Sequence, residues 1–203
     1  MIIGTVFLGR VKKFKSQQIQ TKFFMLGIPL FPTGDSILVT SSGYNSRQGI
    51  PLKLHTKSVL AGYGRIFVLI AFIVAMVFEE SHILAVLLAA LAIFLFAFYG
   101  RSTEKENEIR SIIGDFTNVY AMPEWMERGT VYSIYNQLSS VYESRNRNWM
   151  TDIKQGNVLN GKLAYAIALL YASYDPSEEN LSLKEKAAAL YDNEKVSSPA
   201  AVA

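Results

Sequence analysis

The sequence predicts an integral membrane α+β protein, with a two-helix transmembrane hairpin between a small N-terminal antiparallel β module and a C-terminal helical bundle. Three observations predict it. Two apolar runs, residues 66–78 and 83–99, are separated only by Glu79-Glu80-Ser81-His82. Short runs of β-branched and aromatic residues, broken by Gly, Pro, Asn and Ser, fill the first 58 positions. Beyond Gly100, apolar residues recur at helical spacing. The expected boundaries are 1–58 for the β module, 59–100 for the hairpin, 101–195 for the helical domain and 196–203 for a disordered tail.

Within the β module, residues 5–14, 19–26, 36–40 and 50–55 read as strands. Leu52 and Leu54 alternate with Lys53 and His55, the period of a strand with one wet face. The candidate core (Phe7, Phe14, Phe24, Leu38, Leu52) is thin, so the sheet must lean on something else. Between the second and third strands lies Phe-Phe-Met-Leu-Gly-Ile-Pro-Leu-Phe-Pro-Thr-Gly-Asp, residues 23–35. Two prolines three apart break a ladder, which predicts an apolar loop. This stretch resembles a Phe-Phe-x(n)-Pro-Leu-x-Pro-Thr segment of small, uncharacterised bacterial membrane-associated proteins. That resemblance implies a bacterial membrane setting and no particular chemistry.

A bilayer core takes about 20 mostly apolar helical residues. The second run meets this over residues 82–100. The first meets it over 59–78, with the Arg65 head snorkelling back to the headgroups. Ala71 and Ala75 are four apart, as are Ala85 and Ala89, and each pair is placed symmetrically about Glu80. Small residues at those positions would let two antiparallel backbones approach.

Charge gives the orientation. The chain carries +3 overall, but residues 1–65 hold nine Lys and Arg against one acid, Asp35, while residues 101–203 hold eleven against fourteen acids. Basic residues flank the apolar runs on their outer sides and none lies between them, so both termini are expected in the cytoplasm of a bacterial inner membrane. Arg10, Lys12, Lys13, Lys15, Arg65 and Arg101 are the candidate contacts to an anionic leaflet. The Arg-Val-Lys-Lys-Phe-Lys stretch also suits nucleic acid, but beside a membrane the lipid is met first, and no nucleic-acid partner is expected.

In the C-terminal half, Ser102 and Thr103 precede a cluster of glutamates, as at a helix start. Ile109, Ile112, Ile113 and Phe116 form its apolar face. Pro123 ends that helix and opens the next, to about Arg145. Residues 162–174 form an Ala-rich helix too short to span a membrane. Ser182 and Glu185 have the spacing of a capping box opening a last helix to about Glu194. The spacing of small residues and tyrosines over residues 164–191 also fits a tetratricopeptide-type pair, although a generic bundle satisfies it equally.

The chemistry-bearing residues are few. With no cysteine there is no disulfide and no thiolate site. Two histidines are present; Glu79, Glu80 and His82 form at best a sparse metal set, so no metal or cofactor is expected. Residues 1–8 are apolar with their basic residues following, the reverse of a secretory signal. The expected function is therefore a non-enzymatic accessory or scaffolding subunit of a larger membrane complex, in contact with other membrane subunits or with itself. A homo-oligomeric channel or transporter component lined by several hairpins is the alternative.

Overall fold

The computed structural model describes residues 3–42, 47–78 and 82–197. It is an α+β protein with a four-stranded antiparallel sheet and, among the described residues, seven α-helices. The chain forms two compact units, Met1–Asn107 and Glu108–Ala203.

In the first unit, β1 (Ile3–Phe14), β2 (Gln17–Leu26), β3 (Ile28–Ser42) and β4 (Arg47–Leu52) pair in sequence order. Tight turns suffice for this order: Lys15 at φ +50° reverses the chain between Phe14 and Gln17, and Gly27 at φ +74° does so between Leu26 and Ile28. One face buries Val11, Ile19, Phe23, Leu38 and Leu52. Thr21 and Ser36, opposite one another on β2 and β3, share a buried hydroxyl hydrogen bond of 2.8 Å.

The apolar loop expected at residues 23–35 is instead strand. Pro29 and Pro32 are paired with Met25 and Phe23, and the ladder absorbs them through register shifts between Thr21 and Phe23 and between Phe24 and Met25. A proline removes one donor from a ladder; a bulge is where that loss is tolerated.

The buried sheet face is covered by α1 (Thr56–Phe78). Two glycines make the fit possible. Gly9, at φ +69°, lies so close to α1 that a Cβ there would overlap the Ser58 carbonyl oxygen, while Ser58 Oγ donates to the Gly9 carbonyl at 2.7 Å. A Cβ on Gly62 would stand 2.8 Å from the Phe23 ring. Phe23 meets Tyr63 edge to face at 5.2 Å, and the Tyr63 hydroxyl donates to Leu30 O at 2.9 Å.

The membrane hairpin expected from sequence is corrected here. Only α1 is long and apolar enough among the described residues to cross a membrane, over Thr56–Val77, with mean hydropathy 2.2 in its most apolar 18 residues. The helix that follows, α2 (His82–Ala97), has 16 residues. At 1.5 Å per residue it rises about 24 Å, short of a hydrocarbon core of about 30 Å. The span expected at 82–100 fails at its end, where the helix gives way to a turn before Gly100 at φ +77°. The first helix begins at Thr56, three residues before the expected start.

The second unit is helical. It contains most of α3 (Glu104–Thr117), a 3-10 turn at Pro123–Trp125, then α4 (Arg128–Glu143), α5 (Trp149–Gln155), α6 (Gly161–Tyr174) and α7 (Glu178–Ser197). Its core joins Ile113, Met126, Leu138, Tyr142, Trp149, Ile153, Ile167 and Leu170, each at most 2% exposed. Short polar caps punctuate it. Asn148 Oδ1 accepts from Thr151 N at 3.0 Å, and Asn160 Oδ1 accepts from Leu163 N at 2.8 Å. The last helix starts before the expected capping box, at Glu178, because Ser177 Oγ already accepts from Asn180 N at 3.3 Å. Val196 and Ser197, expected in the tail, are its last turn; residues 198–203 lie outside the described residues.

Candidate functional site

The candidate site lies wholly within the first unit. A cleft of about 900 Å³ opens between β1, the first turns of α1 and the chain leaving α2. Its walls carry Arg10, Lys12 and Lys13 from β1, Arg65 from α1, and Arg101 from the segment after α2, together with apolar Val6, Leu8, Ile66 and Phe96. That volume is in the range of small-molecule sites, about 300–1,000 Å³. No carboxylate lines it among the described residues.

The cations are not equivalent, and the strand geometry explains why. A regular β1 would point Val11 inward and Lys12 outward. The ladder instead slips on both sides of Val11, and Lys12 takes φ +53°, so Val11 and Lys12 are both buried, at 3% and 2% exposure. Such a bulge redirects a side chain. Lys12 Nζ reaches Glu106 Oε1 at 2.7 Å and Arg101 O at 3.3 Å, while its backbone N–H donates to Gly100 O at 2.6 Å. Lys12 is thus a strut holding the end of α2 to the sheet, and its charge is spent on Glu106.

Burial pushes the Glu106 carboxyl up, but hydrogen bonds from Lys12 and the Thr103 amide, with the Lys12 charge, outweigh it and hold the group below its ordinary range. His55 sits near the same cluster. Burial, with Lys12 and Lys57 nearby, holds its imidazole below the usual 6.5, against a smaller opposing pull from Glu106. The His55 amide donates to Ser36 Oγ at 3.0 Å, which joins the cluster to the buried Thr21–Ser36 pair.

The other four lining cations keep their charge available. Arg65 Nε donates to Leu95 O at 2.9 Å and Nη1 to Arg10 O at 2.8 Å, with the guanidinium 5.3 Å from the Phe96 ring centroid. Both hydrogen-bond partners are neutral carbonyls, so the +1 charge is uncompensated by them. Arg101 Nε donates to Ala97 O at 2.7 Å and its guanidinium stacks 4.6 Å from the Phe98 centroid. Arg10 and Lys13 are exposed on β1. None of the four forms an ion pair among the described residues. Such an arrangement attracts and orients an anion.

Lys15 is not among the lining residues; it stands exposed at the turn, 5.9 Å from the Phe14 ring centroid. Of the small residues expected to pack between the apolar helices, Ala75 and Ala85 are buried at 4% each, whereas Ala71 is exposed and Ala89 half-buried. Sequence reasoning missed the wall formed by Gln18, Tyr99, Ser102 and Asn107. It also missed Glu106 as the partner of Lys12, 94 residues away. Only the helix-start pattern of Thr103 and Glu106 pointed to that glutamate, and it pointed to a cap: Thr103 Oγ1 accepts from Glu106 N at 3.3 Å, and Thr103 N donates to Glu106 Oε2 at 3.1 Å. Among the described residues no group of three or more His, Asp or Glu is placed to hold a metal ion. The expected sparse set of Glu79, Glu80 and His82 falls on or beside residues 79–81, outside the described residues.

No protein-family model matches this chain, and neither a curated protein nor a solved structure matches it.

Proposed function

We propose that this protein is a membrane-anchored, non-enzymatic accessory subunit, held in a bacterial inner membrane by α1, with the basic sheet facing the cytoplasm. The observation that carries the reading is the exposure of α1. In the most apolar 18-residue stretch of its span, 22% is buried inside the protein. Leu60, Phe67, Leu69, Ile70, Ile73, Val74, Met76 and Val77 are each at least 41% exposed. Burying a large apolar side chain is worth about 1.5–3 kcal/mol, so eight half-exposed ones forfeit on the order of 10 kcal/mol in water. That equals the whole stability of an ordinary domain, about 5–15 kcal/mol. A core helix of a water-soluble protein hides such a surface; this one needs lipid or a partner's apolar surface around it. The outer side of α2 continues the apolar surface with Ile83, Val86, Leu87, Ile93 and Phe94.

What supports the cytoplasmic placement of the sheet is charge: Arg10, Lys13, Lys22, Lys53 and Lys57 lie in the sheet, directly after it or at the start of α1, and basic residues favour the inside. What supports the accessory role is the second unit, a helical body with aromatic residues such as Tyr132 on its surface.

Alkaline carbonate extraction of native membranes tests the anchor: the protein is expected to stay in the pellet. Purification in a mild detergent, with mass read by native mass spectrometry, tests the role. Co-purification with a different polypeptide at fixed stoichiometry is expected. Release by carbonate would overturn the anchor, and a pure homo-oligomer would overturn the accessory role.

A further inference from the structure

We propose that the basic cleft of the first unit is a binding site for one amphiphilic phosphate ester, the headgroup of an anionic phospholipid. This deepens the membrane reading above and rests on it only for where the ligand comes from; the cleft's preference for a tailed phosphate can be measured whether or not α1 crosses a bilayer.

Three features select that ligand. The first is charge. Arg10, Lys13, Arg65 and Arg101 line one cleft of about 900 Å³, without a carboxylate among the described lining residues. The nearby acid Glu106 is consumed by Lys12. Concentrating like charges around a concave surface is unfavourable unless an anion enters.

The second is rigidity. Arg65 is fixed by two carbonyls, Leu95 O and Arg10 O, from two different elements, and Arg101 by Ala97 O and the Phe98 ring. Guanidinium groups held this way are preorganised for bidentate contact with phosphate oxygens, a geometry a mobile surface lysine does not offer. Lys12, by tying Gly100 and Arg101 to β1, sets the distance between the walls.

The third is the mixed character of the wall. Val6, Leu8, Ile66 and Phe96 share the cleft with the cations. Phe96, which lines the cleft, is itself 54% exposed on α2, so the apolar side of the cleft opens onto the exposed apolar surface of that helix. A soluble phosphate leaves that side unused; a headgroup with its acyl chains covers it. A nucleic-acid backbone would bring charge and no apolar tail.

The test is a calorimetric titration of the purified full-length chain in a neutral detergent. The probes are short-chain phosphatidic acid, short-chain phosphatidylcholine, glycerol phosphate and inorganic phosphate. Saturable one-to-one binding of phosphatidic acid is expected, at least tenfold tighter than any of the other three. The double variant Arg10→Gln/Arg101→Gln should weaken it about tenfold or more, since each cation near an anionic headgroup contributes measurably. Arg10→Lys/Arg101→Lys, which keeps the charge but gives up the guanidinium fork, should recover only part of the binding, between the affinities of the native chain and of the Gln pair. Lys22→Gln/Lys53→Gln removes two cations of the same unit that do not line the cleft and should leave the affinity within about twofold.

Equal loss in both Gln pairs would reduce the effect to general surface attraction and overturn the site. Glycerol phosphate binding as tightly as phosphatidic acid would overturn the lipid source. Phosphatidylcholine binding equally would show apolar adsorption alone and overturn the role of the cations. None of these outcomes depends on carbonate resistance, so a failed site and a failed anchor are told apart.

Discussion

The two units of this chain answer one question, where to put apolar side chains, in opposite ways. In residues 108–197 they are turned inward: Trp149, Tyr142, Ile167 and Leu170 are nearly inaccessible, and Tyr135, Trp149 and Tyr171 pack ring against ring at centroid distances of 5.0–6.1 Å. In residues 3–107 the sheet closes over a small core while α1 and α2 turn large apolar side chains outward. Burial also treats charge differently. The second unit ties Asp152 to Arg147 Nε at 2.7 Å and to the Tyr142 hydroxyl at 2.9 Å, in a network that fastens α4 to α5. The first buries a lysine beside a cleft lined by further cations. One unit turns its large apolar side chains into its own interior; the other leaves many of them exposed.

The largest expected effect breaks the contrast at α1. Placing two charges on its outward side, Ile70→Lys/Ile73→Lys, costs about 2.5–3.5 kcal/mol per lysine if that helix sits at bilayer depth, roughly 6 kcal/mol together. The carbonate-resistant fraction is expected to collapse. The same exchange at exposed Leu181 of α7 should leave it unchanged. If the α1 variant remains in the pellet, the outward side of α1 is not in lipid.

A smaller effect sharpens the other side. Trp149, 2% exposed, sits between Tyr135 and Tyr171, so Trp149→Ala removes about 3–5 kcal/mol of packing from the second unit. Hydrogen exchange should show faster opening of amides in α4–α6, with β2 and β3 amides unaffected. Equal loosening of the sheet amides would mean that the two units do not unfold independently.

The difference between the units also decides how much was legible in the sequence. Helices in the second unit were visible because their apolar residues recur at helical spacing and the last two open at Asn160 and Ser177. Pro123, expected to end one helix and open the next, instead starts a 3-10 turn between α3, which ends at Thr117, and α4, which begins at Arg128. One helix was missed there, Trp149–Gln155, whose seven residues are too few for a periodic signal. In the first unit the composition announced apolar helices, but hydropathy does not record where a helix stops. The turn before Gly100 left α2 at 16 residues, and the inferred second span failed.

All five cations lining the cleft were legible as charge, and Lys15 was counted with them; their arrangement was not legible. Lys12 reads as a surface cation by alternation, and a bulge turns it inward onto Glu106, a contact between residues 94 apart that no local pattern carries. Pro29 and Pro32 misled in the other direction, since a ladder with slipped register accommodates what a regular one excludes.

The smallest expected effect separates the units by pH. His55 and His82 are the only histidines of the chain, so residues 108–203 contain none. In the second unit, the hydrogen bond from Arg147 holds Asp152 below its usual 3.8, so the stability it contributes persists until the pH falls through that lowered value. In the first unit, burial and the nearby Lys12 and Lys57 hold His55 below 6.5, with Glu106 opposing them weakly. A group whose folded value is depressed binds more protons unfolded than folded once the pH drops under the unfolded value. Its contribution is therefore complete above about pH 6.5 and declines below it, well before Asp152 responds. Glu106, also depressed, adds its own loss only below its ordinary 4.5. Hydrogen exchange followed between pH 7 and about pH 5, corrected for the intrinsic chemistry, should show sheet amides losing protection while α4–α6 amides keep theirs. His55→Gln should flatten that slope and His82→Gln should not. A slope that survives in His55→Gln would place the proton elsewhere.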